Sequence, residues 1–191
     1  MDLKSFLNLL LKNTPFEVTG KGDVNISVSA GIGIKETAKW QPHWKIEKYH
    51  GSACPKNLYA IEEWDGNCLL NEGITAMLNL LVGAAETPFN AANTYIGVGD
   101  STTAAIASQT GLQAATNKVY VAMDGTYPQV LNQTVTFRAT FGASVGNYAW
   151  NEFTIVSSSD DTGDNLCRKQ EAHGTKSSPD TWVVSCTVTI S

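Results

Sequence analysis

The sequence contains no apolar run long enough to cross a bilayer as a helix. It also lacks a secretion signal of the usual build, because Asp2 and Lys4 interrupt its start and Asn13-Thr14-Pro15 follows the short apolar block. These two features place the expected site of synthesis in a cytoplasm. Charge is scarce as well, at 16% of 191 residues, with a net of −5. Residues 1–66 carry eight Lys/Arg and eight Asp/Glu, whereas residues 67–191 carry five and ten, so the whole deficit lies in the second part. No basic stripe of the kind that neutralises phosphates is present, which argues against a nucleic-acid binder. The four cysteines, Cys54, Cys68, Cys167 and Cys186, are spaced too widely for a CxxC zinc site. In a reducing compartment they are expected as free thiols, with a Cys167–Cys186 bridge as the alternative.

The ingredients of the common catalytic loops are missing too. The stretch Tyr95-Ile96-Gly97-Val98-Gly99-Asp100-Ser101-Thr102 invites comparison with three of them. A dinucleotide fingerprint needs a third glycine where Thr102 stands. A phosphate loop needs a Gly-Lys pair, and no lysine occurs between Lys56 and Lys118. A nucleophile elbow at Ser101 needs a glycine where Thr103 stands. A turn is the sufficient reading. In the run starting at Asp160, oxygen donors fall at positions one, three, five and twelve, the last being Glu171, as in a calcium loop. Asn165 occupies the position of the turn glycine and the flanks read as strands, so a surface hairpin loop is expected. His43, His50 and His173 are scattered without a nucleophile beside them. Glu62 and Glu63 are adjacent on a strand and point to opposite faces, so they cannot act as a carboxylate pair. The chain is therefore expected to be no enzyme, with no catalytic residue, no cofactor and no metal ligand. A glycan hydrolase is the enzymatic alternative, and it would need two carboxylates in one cleft.

What the sequence does hold is 42% hydrophobic residues, five tryptophans and abundant hydroxyls, which suits a β-rich protein. Leu3, Phe6, Leu7 and Leu10 recur at helical spacing, predicting a short amphipathic helix over 2–12 that needs a surface to lie on, either its own domain or a neighbouring subunit. Its polar face is not cationic, which disfavours a membrane as that surface. Val24, Ile26 and Val28 alternate with polar residues as a strand, and Ile32 and Ile34 continue the parity past Gly31 and Gly33. Residues 1–36 read as an extension of helix, hinge and strand. Its strand either joins another chain or opens the domain, two readings of equal weight.

Two strands follow, in WKIEKYHG and NLYAIEEWDGN, the second ending at an Asp65-Gly66 turn. A helix is predicted over 71–83, with Ile74, Met77, Leu78 and Leu81 as its core face and Gly83 as its stop. Val135, Phe137, Ala139 and Phe141 share one face of a strand, as do Trp182, Val184, Cys186, Val188 and Ile190 of the last one. Trp40, Trp44 and Tyr49 are candidate surface aromatics, with Trp40 and Trp44 beside His43 suggesting a sugar platform. Packing in the core or against a subunit is the plainer use of the two tryptophans.

Four ordered stretches carry a family resemblance: LLNEGITAMLNLLVG, NAANTYIGVGDSTTAAIASQTGLQAATNK, TVTFRATFGASVGNYAWNEFTI and NLCRKQEAHGTKSSPDTWVVSCTVTIS. Together, over about residues 45–191, the chain resembles a family of small β-rich virion proteins of tailed bacteriophages. The glycine-aspartate turn, the alanine-threonine segment, the YAWNE strand and the terminal GTK…TW…VTIS strand occur in that family's order. One departure is Cys167, where the family pattern has asparagine before the arginine.

The resulting expectation is a mainly β chain, an antiparallel sandwich or jelly-roll-like domain over 37–191 with one embedded helix and an N-terminal helix-plus-strand arm over 1–36. The resemblance implies a virion structural protein assembled in the host cytoplasm. The leading reading is a capsid decoration (cement) protein bound between capsomers. A tail, neck or fibre component acting as adaptor or host-binding module is the alternative. The implied partners are the major capsid protein or other virion proteins, and further copies of the chain in a homo-oligomer with a trimer favoured. Nucleic acid and membrane are not among them. The arm residues assigned to the interface are Leu3, Phe6, Leu7, Leu10, Val24, Ile26, Val28, Ile32 and Ile34.

Overall fold

A computed structural model describes residues 25–30 and 34–191. Among them are β1 (Asn25–Ala30), β2 (Ile34–Tyr49), β3 (Leu58–Asp65), β4 (Cys68–Leu69), α1 (Asn71–Val82), β5 (Tyr95–Gly99), β6 (Lys118–Ala122), β7 (Gln129–Leu131), β8 (Thr134–Phe141), β9 (Glu152–Val156), β10 (Asn165–Gln170) and β11 (Thr181–Ile190). The expected mainly β, sandwich-like arrangement is what forms. One antiparallel sheet runs β1-β2-β11-β8-β7, with β3 also paired to β2, and the other runs β4-β10-β9-β5-β6.

The alternation along β2 sets the first sheet's inner face. Trp40, Pro42, Trp44, Ile46 and Lys48 are buried, while Gln41 and His43 are exposed. Phe137, Ala139 and Phe141 of β8 and Trp182, Val184, Cys186 and Val188 of β11 complete that face. From the second sheet, Ile96 and Val98 of β5 and Phe153 and Ile155 of β9 meet them. Each such aliphatic side chain removed from water stabilises the fold by roughly 1.5–3 kcal/mol. Ile190 keeps the predicted parity but lies at the end of its strand and is half exposed.

Trp40, Trp44 and Tyr49 are not on the surface. All three are buried, and Trp44 is fully so, stacked on Trp64 with ring centroids 6.2 Å apart. Their placement follows from strand parity for the two tryptophans, which share a face with Ile46. The four cysteines are free, and Cys167 and Cys186 are fully buried, which pushes both thiols up and leaves them unreactive.

The helix is correct in position and stop but not in its face. Gly83 adopts a left-handed φ of 70° as a C-terminal cap, with its N–H donated to the Asn79 and Leu80 carbonyls. Ile74 and Met77 pack on the core, whereas Leu78 and Leu81 are exposed. The helix buries Gly73 and Ala76, and Gly73 brings it directly against the β10 backbone. A Cβ there would collide with the Leu166 carbonyl and come within 2.8 Å of the Asn165 oxygen. Both obstacles are backbone and cannot turn aside.

At the N-terminal side, the candidate interface residues Leu3, Phe6, Leu7, Leu10, Val24 and Ile32 lie outside the described residues. Ile26, Val28 and Ile34 belong to the backbone of β1 and β2. The strand of the arm pairs within its own chain: β1 and β2 form an antiparallel hairpin from Asn25↔Lys39 to Ala30↔Ile34. β2 runs without interruption through the boundary at 36/37, since Trp40 to Tyr49 go on to pair with β11.

Candidate functional site

Three features of the sandwich bear on function. The first is an apolar groove of about 440 Å³ where β2 at Trp40 and the end of β11 meet the β7–β8 hairpin and α1. Trp40, Met77, Phe89, Phe137, Val188 and Ile190 form its walls, and Asn132, Gln133 and Thr134 supply polar atoms at one side. Val130 lines it as well and is 76% exposed, as is its neighbour Leu131 at 73%. The expected core strand thus ends in an open apolar slot, and Ile190 is half exposed for that reason. A cavity of this size is typical of ligand or side-chain recognition.

The second feature is a polar layer on the outer face of the second sheet. Gly97, Gly99, Glu152, Thr154 and Tyr120 share that face by register. The glycines of the Gly97-Val98-Gly99 stretch now have their explanation. A Cβ on Gly97 would meet the Tyr120 ring at 2.6 Å, and one on Gly99 would strike the Glu152 carboxylate. They clear space for buried side chains rather than for a phosphate.

The Glu152 carboxylate accepts the backbone N–H groups of Gln113 at 2.8 Å and Ala114 at 2.7 Å. It also receives Arg168 Nε at 2.9 Å and Nη2 at 2.6 Å, both side chains being fully buried. Arg168 further donates to the Gln109 side-chain oxygen and the Thr103 carbonyl, at 2.9 and 2.8 Å. This pair therefore holds down the long connection between β5 and β6 at four points. Every contact is internal, so the arrangement fastens a loop and leaves no acid or base free for chemistry. The Asp160 region is similarly self-contained. Asp160 accepts from Thr162 N–H at 2.9 Å, and Asp161 receives Lys118 and Tyr120. Glu171 pairs with Lys169 instead of joining them. Among the described residues no three or more of His, Cys, Asp and Glu come together in a way that could hold a metal ion.

The third feature joins residues that are distant in sequence. Lys48, at an inward position of β2, donates to Glu62 at 2.5 Å and to the His173 carbonyl at 2.7 Å, and lies 4.2 Å from the Trp182 ring centroid. His173 Nδ1 is 2.7 Å from the other Glu62 oxygen, and its ring stacks on Trp64 at 3.7 Å. Burial works to raise the Glu62 carboxyl, but the hydrogen bonds from Lys48 and His173 outweigh it and hold the group below its ordinary value of 4.5. A carboxyl held low by folding stabilises the fold above its unfolded value. That contribution drains away as pH falls through 4.5 toward the lower folded value. Glu62→Gln is expected to flatten the acid limb of the stability curve, measured by urea denaturation between about pH 6 and pH 3. Parallel curves for the two proteins would show that the cluster does not contribute.

His43 and His50 are separate from this cluster. His43 pairs with Asp65 at 2.8 Å on the surface, and His50 pairs with Asp180 at 3.1 Å. Sequence reasoning missed the Lys48–Glu62–His173 and Glu152–Arg168 groups. The available signals were a lysine at core parity in WKIEK and a glutamate opening the apolar run EFTIV.

Compared with known proteins, the chain matches no family model, and neither a curated protein nor a solved structure is significantly similar to it.

Proposed function

We propose that the chain is a structural protein of a tailed-phage virion, and specifically a capsid decoration protein that stabilises the shell by binding between capsomers. The observation that carries this reading is the β1–β2 hairpin. β1 pairs with β2 along Ile34 to Lys39, before the stretch of β2 that joins β11 and β3. A two-stranded ribbon has little independent stability in water, so a projecting one calls for a surface to lie against. In the proposed function that surface belongs to a neighbouring virion subunit, which residues 21–36 would cross. The resemblance of residues 45–191 to small phage virion proteins supports the same class.

The mechanism is linkage: a protein that binds only the expanded shell shifts its equilibrium toward that state by mass action. Repetition over many copies multiplies a modest gain per site. Quantitative mass spectrometry of purified particles tests the placement. A copy number close to that of the major capsid protein is the expected result. A small ring-like number would instead assign the chain to the tail or neck. Removal of residues 1–36 is expected to abolish particle binding, and retention of full binding would remove the role given to the hairpin.

A further inference from the structure

We propose that the apolar groove is filled by the chain's own N-terminal segment, residues 2–12, laid in as an amphipathic helix. Two independent observations meet here. The groove is walled by Trp40, Met77, Phe89, Phe137, Val188 and Ile190 and is open to solvent among the described residues. The segment carries an apolar stripe of Leu3, Phe6, Leu7 and Leu10, which needs a surface of this kind. A helix pressing anchors at such spacing into an apolar groove is a recurrent recognition mode.

The path of the chain selects this occupant over others. Asn25 stands opposite Lys39, whose backbone is bonded to Ser191, and Lys39 precedes Trp40 in β2. Trp40 is in turn the register partner of Ile190. The hairpin therefore brings the chain back to the groove's edge, within two strand spacings, or about 10 Å, of Ser191. The predicted helix is about 16 Å long at 1.5 Å per residue. The intervening residues 13–24 reach at most about 40 Å when extended. Reach is thus ample. A segment tethered this closely acts at an effective concentration on the order of millimolar, which a second copy in dilute solution cannot match. Polar atoms of Asn132, Gln133 and Thr134 at one side suit the polar face of the segment, which includes Asn8.

This inference concerns the isolated chain and stands or falls separately from the virion reading. It is tested on the full chain with Cys54→Ser, Cys68→Ser and Asn8→Cys, a nitroxide on position 8 and isotope-labelled methyl groups. Position 8 is off the apolar stripe, so the label leaves the docking face intact. The expected result is loss of the Val130, Val188 and Ile190 methyl signals at high dilution, with the Ile61 methyl on β3 unaffected. Adding Leu7→Asp is expected to restore the lost signals. Unbroadened groove methyls would overturn the proposal. So would broadening seen only when the nitroxide sits on a second, isotopically silent chain, since the occupant would then be another copy.

Discussion

Arg168→Ala is expected to lower the unfolding free energy by about 3–5 kcal/mol, because it leaves the Glu152 carboxylate buried without its cation. Both side chains are fully buried, so solvent screening offers no relief. The loss also frees Gln109 and Thr103, which the guanidinium holds. For a chain of this size, each kcal/mol corresponds to about 2–4 °C in Tm, so calorimetry should register a fall of roughly 6–20 °C. The Arg168→Met, Glu152→Gln double variant separates the two contributions. It removes both charges and is expected to recover part of the loss, since removing a buried pair together is far less costly than stranding one member. If the single variant melted within a degree of the parent, the fastening role of this pair would be wrong. Limited proteolysis gives an independent reading, with cleavage expected first within residues 100–117.

The second large effect is expected at Trp150. This side chain is fully buried and joins the two sheets. Its ring meets Phe141 at 4.8 Å and Trp182 at 4.7 Å from the first sheet, and Phe153 at 6.2 Å from the second, all edge to face. Its Nε1 donates to the Gly146 carbonyl at 2.7 Å. Trp150→Ala is expected to cost about 3–5 kcal/mol, combining lost transfer energy with the cavity left behind. Trp150→Phe should cost less, because it keeps most of the ring contacts and loses chiefly the hydrogen bond to Gly146. Urea denaturation of the two variants checks the order. Equal losses would mean that the hydrogen bond, and not the aromatic packing, dominates.

Much of the architecture could be read along the chain because strand parity is a local property. The alternating residues of β8 and β11 and the Gly83 stop required only a window of about ten residues to recognise. The buried groups behaved differently. Glu152 meets Arg168 diagonally across the β9–β10 ladder, where Arg168 faces Thr154 and Gln170 faces Glu152, and the loop both of them hold arrives from residues 103–114 without a period. Lys48 finds His173 across 125 positions. Leu78 and Leu81 obeyed the helical rule and still lie outside the core, because the helix turns Gly73 and Ala76 inward in close contact with β10. Trp40 and Trp44 could have been placed inside from parity alone, whereas the groove beside Trp40 depends on how separate elements meet in space.

The central position of β11 in the first sheet has a kinetic consequence. It lies between β2 and β8, and its pairing with β2 joins residues as distant as Trp40 and Ile190, 150 positions apart. Closing so long a loop must precede the reward of the ladder it completes, which places folding toward the slow, millisecond-to-second end of the range. Until β11 docks, β2 and β8 each present an unpaired edge rich in apolar residues. The nascent sheet is then most exposed to mispairing with another chain, and that interval is the dangerous one.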